Sequence, residues 1–171
     1  QGHFGINNAS LGFAVASAGG ANVRFDLLSP SGASLAGNVI TNCGRARCAV
    51  SLAMTADQFA VAYAHQGPGT YGVPGSEDHV SLRRFALDGT PVPVADARLA
   101  WGSDPLTLLQ RPAGGTDFML GFFTLRPSWV RVSAAGAAVG VPYENSTFLW
   151  SGMGPAMTNA GTGYAMAVRG E

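Results

Sequence analysis

The residues best suited to chemistry are concentrated in one segment, which begins at His65 and ends at His79. It holds two of the three histidines of the chain, the adjacent carboxylates Glu77 and Asp78, and the aromatic Tyr71. Imidazole and carboxylate groups can bind a metal ion or transfer protons. However, the two histidines match no helical metal motif such as H-x-x-x-H. The sequence therefore favours a polar hairpin extension with hydrogen-bonded histidines over a metal or catalytic centre.

The tryptophans suggest a second kind of recognition. Trp101 and Trp150 occupy similar places ahead of a proline, and Trp129 lies between them in sequence. Flat aromatic faces can stack on sugar rings or aromatic ligands, and Arg126 and Asp104 could supply polar contacts beside them. Packing between repeated units explains the recurrence of Trp101 and Trp150 equally well, so both interpretations stay open.

Cys43 and Cys48 are the only cysteines of the chain. Their Cys-x4-Cys spacing differs from the redox Cys-x-x-Cys motif, and two thiols cannot complete a structural zinc site. A small loop closed by a disulfide is the simplest prediction, and it would fix the position of Arg45 and Arg47. Because such a bond needs an oxidising compartment, we expect an extracellular or periplasmic protein.

Composition excludes several classes of function for the 171-residue chain. Ten basic residues balance ten acidic ones, so the formal net charge is zero and nucleic acid is not an expected partner. We expect no membrane insertion, because no apolar run reaches the roughly 18–20 residues of a membrane helix. The sequence contains neither a G-x-S-x-G motif nor a glycine-rich phosphate loop, and we predict no cofactor and no catalytic residue.

Repetition along the chain predicts the elements that carry these residues. An aromatic followed by small and apolar residues recurs at Phe13, Phe59, Phe118 and Tyr164. A segment with an arginine follows the first three, at residues 23–26, 82–85 and 129–132, and leads each time into a turn that contains glycine. One unit is therefore expected to form four short strands, with strands 3 and 4 joined as a hairpin.

Four-stranded units of about 40–50 residues are typical of β-propeller blades, so we predict a single all-β domain of propeller-type repeats. Its blades would span about 1–42, 43–100 and 101–149, with a half-blade at 150–171. The remaining blades could come from a longer chain, which we favour, or from a second copy, unless the half-blade completes a short ring. The composition of residues 45–66 would allow a helix, but the repeat favours strands.

The same geometry predicts where ligands would bind. In a propeller, the loops from strand 2 to strand 3 and the connections between blades open at one end, where they are free to vary over a rigid scaffold. The candidate ligand-binding residues all fall there. They are His65, Tyr71, Glu77, Asp78, His79, Trp101, Asp104, Arg126, Trp129 and Trp150.

Residues 84–92, preceded by the Phe-Ala-Val-Ala-Tyr segment from Phe59, resemble the degenerate propeller repeats of secreted or surface proteins from myxobacteria and related bacteria. Those repeats run roughly G-F-x-V-A-W, then R-F-D-x-x-G-x-P-V-G. Residues 24–26 match the R-F-D part and residues 138–140 match its end, whereas residues 131–133 lose the aromatic. The resemblance implies the fold and a surface location, and it implies no reaction.

Together these features predict a non-enzymatic recognition or scaffold module that binds a glycan or a surface protein through one end. The alternative from another class is a secreted hydrolase or lyase that acts on polysaccharide, with carboxylates and histidines of that end as acid and base. A metal-stabilised structural module is a third possibility.

Overall fold

The computed structural model describes residues 2–6, 12–19, 22–42, 50–54, 57–65, 79–93, 97–101, 103–110, 117–123, 127–144, 156–160 and 163–167. Within these ranges the regular secondary structure is β-strand throughout, which confirms the all-β prediction.

The strands form sheets in chain order, and every pair of neighbours is antiparallel. The first sheet consists of β1 (Gly2–Ile6), β2 (Phe13–Gly19), β3 (Asn22–Leu28) and β4 (Ser34–Asn42). The second consists of β5 (Val50–Met54), β6 (Gln58–His65), β7 (His79–Ala86) and β8 (Ala97–Trp101). The third consists of β9 (Ser103–Gln110), β10 (Phe118–Phe123), β11 (Pro127–Val132) and β12 (Ala138–Glu144). The fourth pairs β13 (Ala156–Ala160) with β14 (Gly163–Ala167).

Strands β5 and β6 cover most of the segment whose composition would allow a helix, and the prediction of strands is confirmed there. The reason lies in burial on both faces of β6. Phe59, Val61 and Tyr63 belong to the core shared with the first sheet. Ala60 and Ala62 belong to the core shared with the third sheet. An unbroken apolar run of this length is what a strand buried on both sides requires.

Two apolar cores hold the three larger sheets together. The core between the first and second sheets centres on Phe25, Phe59 and Phe85, whose ring centroids lie 4.6–5.2 Å apart. The core between the second and third sheets is aliphatic apart from Phe118 and Phe122. Aromatic pairs at such separations contribute about 0.5–1.5 kcal/mol beyond the burial of their area.

The turn that follows strand 3 is the same in all three larger sheets, as the sequence predicts. The turns span residues 29–33, 86–90 and 133–137, and in each the first N–H donates to the fifth carbonyl at 2.8–2.9 Å. The fourth residue is Gly32, Gly89 or Gly136, with φ of 84°, 88° and 82°. Glycine adopts this left-handed conformation without the steric cost that a side chain would bring.

These turns correct the sequence alignment of the repeats. Counting back two residues from the start of each turn gives Leu27, Arg84 and Arg131, so the alignment of Arg24 with Arg84 is wrong by three residues. Phe25 and Phe85 look alike in sequence, but Phe25 pairs with Ala16 and faces the second sheet. Phe85 pairs with Phe59 and faces the first, so the two rings meet at 4.6 Å.

The fourth strand of the second sheet also differs from the expectation. The turn at residues 86–90 leads first to Pro91, which makes only an isolated bridge to Phe85. The strand that pairs with β7 is β8, which begins at Ala97. Proline has no N–H to donate to a ladder, which explains why continuous pairing starts only after Pro91 and Pro93.

Candidate functional site

Antiparallel pairing gives each sheet two distinct ends. The turn end carries the hairpins at residues 29–33, 86–90 and 133–137. The loop end is where strand 2 stops, strand 3 begins and strand 4 stops. In the second sheet this end carries His65, His79 and Trp101, so three of the predicted site residues are brought to one place.

These three residues form a single row across adjacent strands. His79 is the Cα partner of His65 on one side and of Trp101 on the other. The sequence presented the two histidines only as the ends of a long segment, whereas the pairing makes them direct neighbours. Directly opposed residues have Cβ atoms about 4.5–5.5 Å apart. His79 is half-buried and takes part in an interaction within the protein.

Packed residues lie directly below this row. Tyr63 pairs with Ser81, and both side chains are buried against the first sheet. Two residues after Ser81 along β7, the Arg83 guanidinium donates from Nη1 to the Ile40 carbonyl of the first sheet at 3.2 Å. The row therefore stands on a fixed interface between two sheets.

Two positions differ from the expectation that they lie in connections between blades. Trp101 is the last residue of β8, and its pairing with His79 keeps it in the ladder. Asp104 lies in β9, next to Ser103, which pairs with Phe123 at the loop end of the third sheet. Both residues still lie near the loop end of their sheets, because each is at or next to the end of its strand.

Trp129 lies near the loop end of the third sheet, where its ring meets that of Tyr143 at 4.2 Å. Counting back from the turns makes Trp129 equivalent to Phe25 and Leu82, which both belong to cores between sheets. This equivalence supports packing of Trp129 between sheets, whereas its contact with a ligand stays a prediction. Tyr143 is 57% exposed and was not singled out from the sequence. It lies two residues from Val141 and four from Val139 in β12, and all three side chains are exposed.

The other predicted site residues lie outside the described residues. They are Tyr71, Glu77, Asp78, Arg126 and Trp150, together with the predicted disulfide partners Cys43 and Cys48.

Arg84 and Arg131 lie near the turn end, away from the loop-end row. Arg84 is only 9% exposed, and its Nη1 donates to Gln58 Oε1 at 3.1 Å and to the Ala134 carbonyl. Burial lowers the pKa of the Arg84 guanidinium, and the Asp57 carboxylate opposes that shift. Arg131 donates to Asp117 Oδ2, from Nε at 2.8 Å and also from Nη2. These contacts stabilise sheets and turns rather than a reaction centre.

Among the described residues, no three His, Cys, Asp or Glu side chains come together as a possible metal cage. Within the same ranges, no helix has the length and hydropathy of a membrane span.

Comparison with known proteins does not assign the chain to a family. No protein-family model matches the sequence, and no curated protein matches it.

Proposed function

We propose that this chain is part of a β-propeller-type protein that recognises a carbohydrate at its loop end. The observation that carries the proposal is the row of His65, His79 and Trp101, which collects two imidazole residues and a tryptophan at one end of the second sheet.

The arrangement of the first strands supports the propeller. Strand β5 contacts both β1 and β9, and β9 also contacts β13. Each of these is the first strand of its sheet. A propeller places the first strands of successive blades side by side around a common axis, with the later strands fanning outward. The face-to-face cores between successive sheets agree with that arrangement.

The chemistry of the row supports a carbohydrate ligand. A tryptophan offers a broad apolar surface with one N–H donor, which suits the C–H face of a sugar ring. Neutral histidine has one donor and one acceptor nitrogen and can therefore bond to hydroxyl groups in either sense. The opposite end consists of near-identical five-residue turns, whereas the loop end differs from sheet to sheet. A surface protein that presents sugars would be bound in the same way.

We place the protein outside the cytoplasm as part of this proposal. Its support is the sequence argument from Cys43 and Cys48, the only two cysteines of the chain. The hydrolase or lyase alternative depends on the adjacent carboxylates Glu77 and Asp78, which lie outside the described residues.

A glycan array followed by calorimetry on the best ligand tests the proposal. We expect His79→Ala and Trp101→Ala each to weaken binding at least about tenfold, which corresponds to roughly 1.4 kcal/mol. Phe13→Ala is the matched control, because it removes a 40% exposed aromatic from the opposite end of the first sheet.

Circular dichroism of each variant separates lost binding from lost folding. The proposal is wrong if folded His79→Ala and Trp101→Ala proteins bind as well as the unaltered protein, or if no carbohydrate on the array binds. If Phe13→Ala weakens binding as much as the other two, the loop end is not the site.

A further inference from the structure

We infer that His65 and His79 form a two-histidine site for a transition-metal ion of the zinc, copper or nickel type at the loop end. The inference does not rest on the carbohydrate proposal, because it needs only the pairing of β6 with β7.

The pairing supplies the geometry. His65 and His79 are the last pair of the β6–β7 ladder and stand directly opposite each other. Residues opposite each other in an antiparallel pair share one face of the sheet. Strand alternation places positions 65 and 79 on the face that carries Tyr63 and Phe85, toward the first sheet. With Cβ atoms about 4.5–5.5 Å apart, two imidazoles can reach one ion at the usual 2.0–2.1 Å.

The backbone around the pair is already fixed, which lowers the entropy lost on binding. β6 and β7 are the two central strands of the second sheet. The preceding pair joins Ala64 to Val80, and both side chains are completely buried. On its other side His79 is held by Trp101 of β8. The backbone positions of both residues are therefore set before an ion arrives.

The donor set selects the kind of ion. Imidazole nitrogen suits zinc, copper and nickel, whereas calcium and magnesium prefer several oxygen ligands. Two histidines by themselves leave positions on a four-coordinate ion for water or an added ligand. His79 already takes part in an interaction that the ion would have to replace, so we expect binding of moderate strength.

The experiment uses the whole chain, dialysed against a chelator and then titrated with Zn²⁺ by calorimetry and with Cu²⁺ under electron paramagnetic resonance. We expect one ion per chain and a copper signal with coupling to two nitrogens. His65→Ala and His79→Ala should each weaken binding at least tenfold, and each should remove one nitrogen coupling. His3→Ala removes the remaining histidine, which lies in β1, and should leave binding unchanged.

His65→Gln and His79→Gln, checked by circular dichroism, replace the alanine variants if those fail to fold. Equal binding by all the histidine variants would mean an adventitious ion only and would overturn the inference. Equal loss on His3→Ala would overturn it as well. Carbohydrate binding measured in chelator tests the proposed function separately, since that proposal requires no metal.

Discussion

The two interfaces between the three larger sheets come from one repeat and yet use different chemistry. Between the first and second sheets, Phe25, Phe59 and Phe85 form a ring cluster, with Phe59 and Phe85 stacked at an interplanar angle of 18°. Between the second and third sheets the core is mainly aliphatic, and the buried cation of Arg84 crosses the interface.

The contrast is clearest at one pair of equivalent positions, Leu27 and Arg84. Leu27 and Phe25 lie against the turn of the next sheet, where a Cβ added to Gly89 would be 3.4 Å from both side chains. Arg84 also meets the turn of the next sheet, but it does so by donating to the Ala134 carbonyl. The repeat therefore fixes where one sheet touches the next turn, and it leaves the chemistry of that contact free to change.

The largest expected effect is at the aromatic interface. Phe59 is completely buried and contacts both other rings of the cluster, so Phe59→Ala should lower the free energy of unfolding by about 3–5 kcal/mol. Urea denaturation followed by tryptophan fluorescence measures the loss.

Phe13→Ala is the control for this substitution, because Phe13 has the same place in the first sheet. It pairs with Leu28 as Phe59 pairs with Phe85, but it is 40% exposed on a face that no other described sheet covers. We expect a much smaller loss. Equal losses would mean that burial between the sheets does not control the stability of this position.

The intermediate effect is at Arg84. Arg84→Ala removes the donor of the hydrogen bonds to Gln58 Oε1 and to the Ala134 carbonyl and should cost about 1–3 kcal/mol. Arg84→Leu copies Leu27 and should cost less, because apolar replacements of buried ions are often neutral. The Arg84 Nε has no hydrogen-bond partner among the described residues, so the present cation is incompletely satisfied. If urea denaturation shows leucine to be as costly as alanine, the hydrogen bonds outweigh apolar packing.

The sequence predicted the strands and the glycine turns because both depend on local patterns. Alternation along β3 and the Gly32, Gly89 and Gly136 turns are visible without any tertiary information. The alignment of Arg24 with Arg84 was wrong because identical dipeptides can face opposite sheets when the distance to the turn differs by three residues. That distance is set by pairing between strands, which the dipeptide does not reveal.

In the candidate site too, local features could be predicted from the sequence and the pairing between strands could not. Its residue types were evident from the sequence, as was their position near strand ends. That His65 and His79 stand opposite each other was not evident from the sequence, because it depends on the register of β6 and β7 across the segment between them. The equivalence of Trp129 to Phe25 and Leu82 was not evident from the sequence, because it depends on counting from the turns that the structure defines. Tyr143 carried no motif, since exposed aromatics at strand ends are common.

The smallest expected effect distinguishes the turn of the second sheet from the other two turns. Ser29 and Ser133 accept a bond at Oγ from the N–H four residues on, at 3.1 and 3.3 Å. The corresponding residue in the second sheet, Ala86, has no hydroxyl. Asp88 Oδ1 instead accepts from the Thr90 N–H at 2.8 Å, and this bond lowers the pKa of the carboxyl group. Only this turn is therefore stabilised by a titrating charge.

A carboxyl group whose pKa is lower in the folded protein stabilises it at pH values above the unfolded pKa, which is about 3.9 for aspartate. That contribution disappears as the pH falls through the lower, folded pKa. Asp88→Asn should therefore unfold at a slightly lower temperature than the unaltered protein at pH 7, and the difference should disappear as the pH falls through the folded pKa of Asp88. Ser133→Ala should show the same difference at pH 7 and at low pH, because a hydroxyl does not titrate in this range. If the effect of Asp88→Asn persists unchanged at low pH, the Asp88 bond stabilises the turn through its geometry and its charge is unimportant.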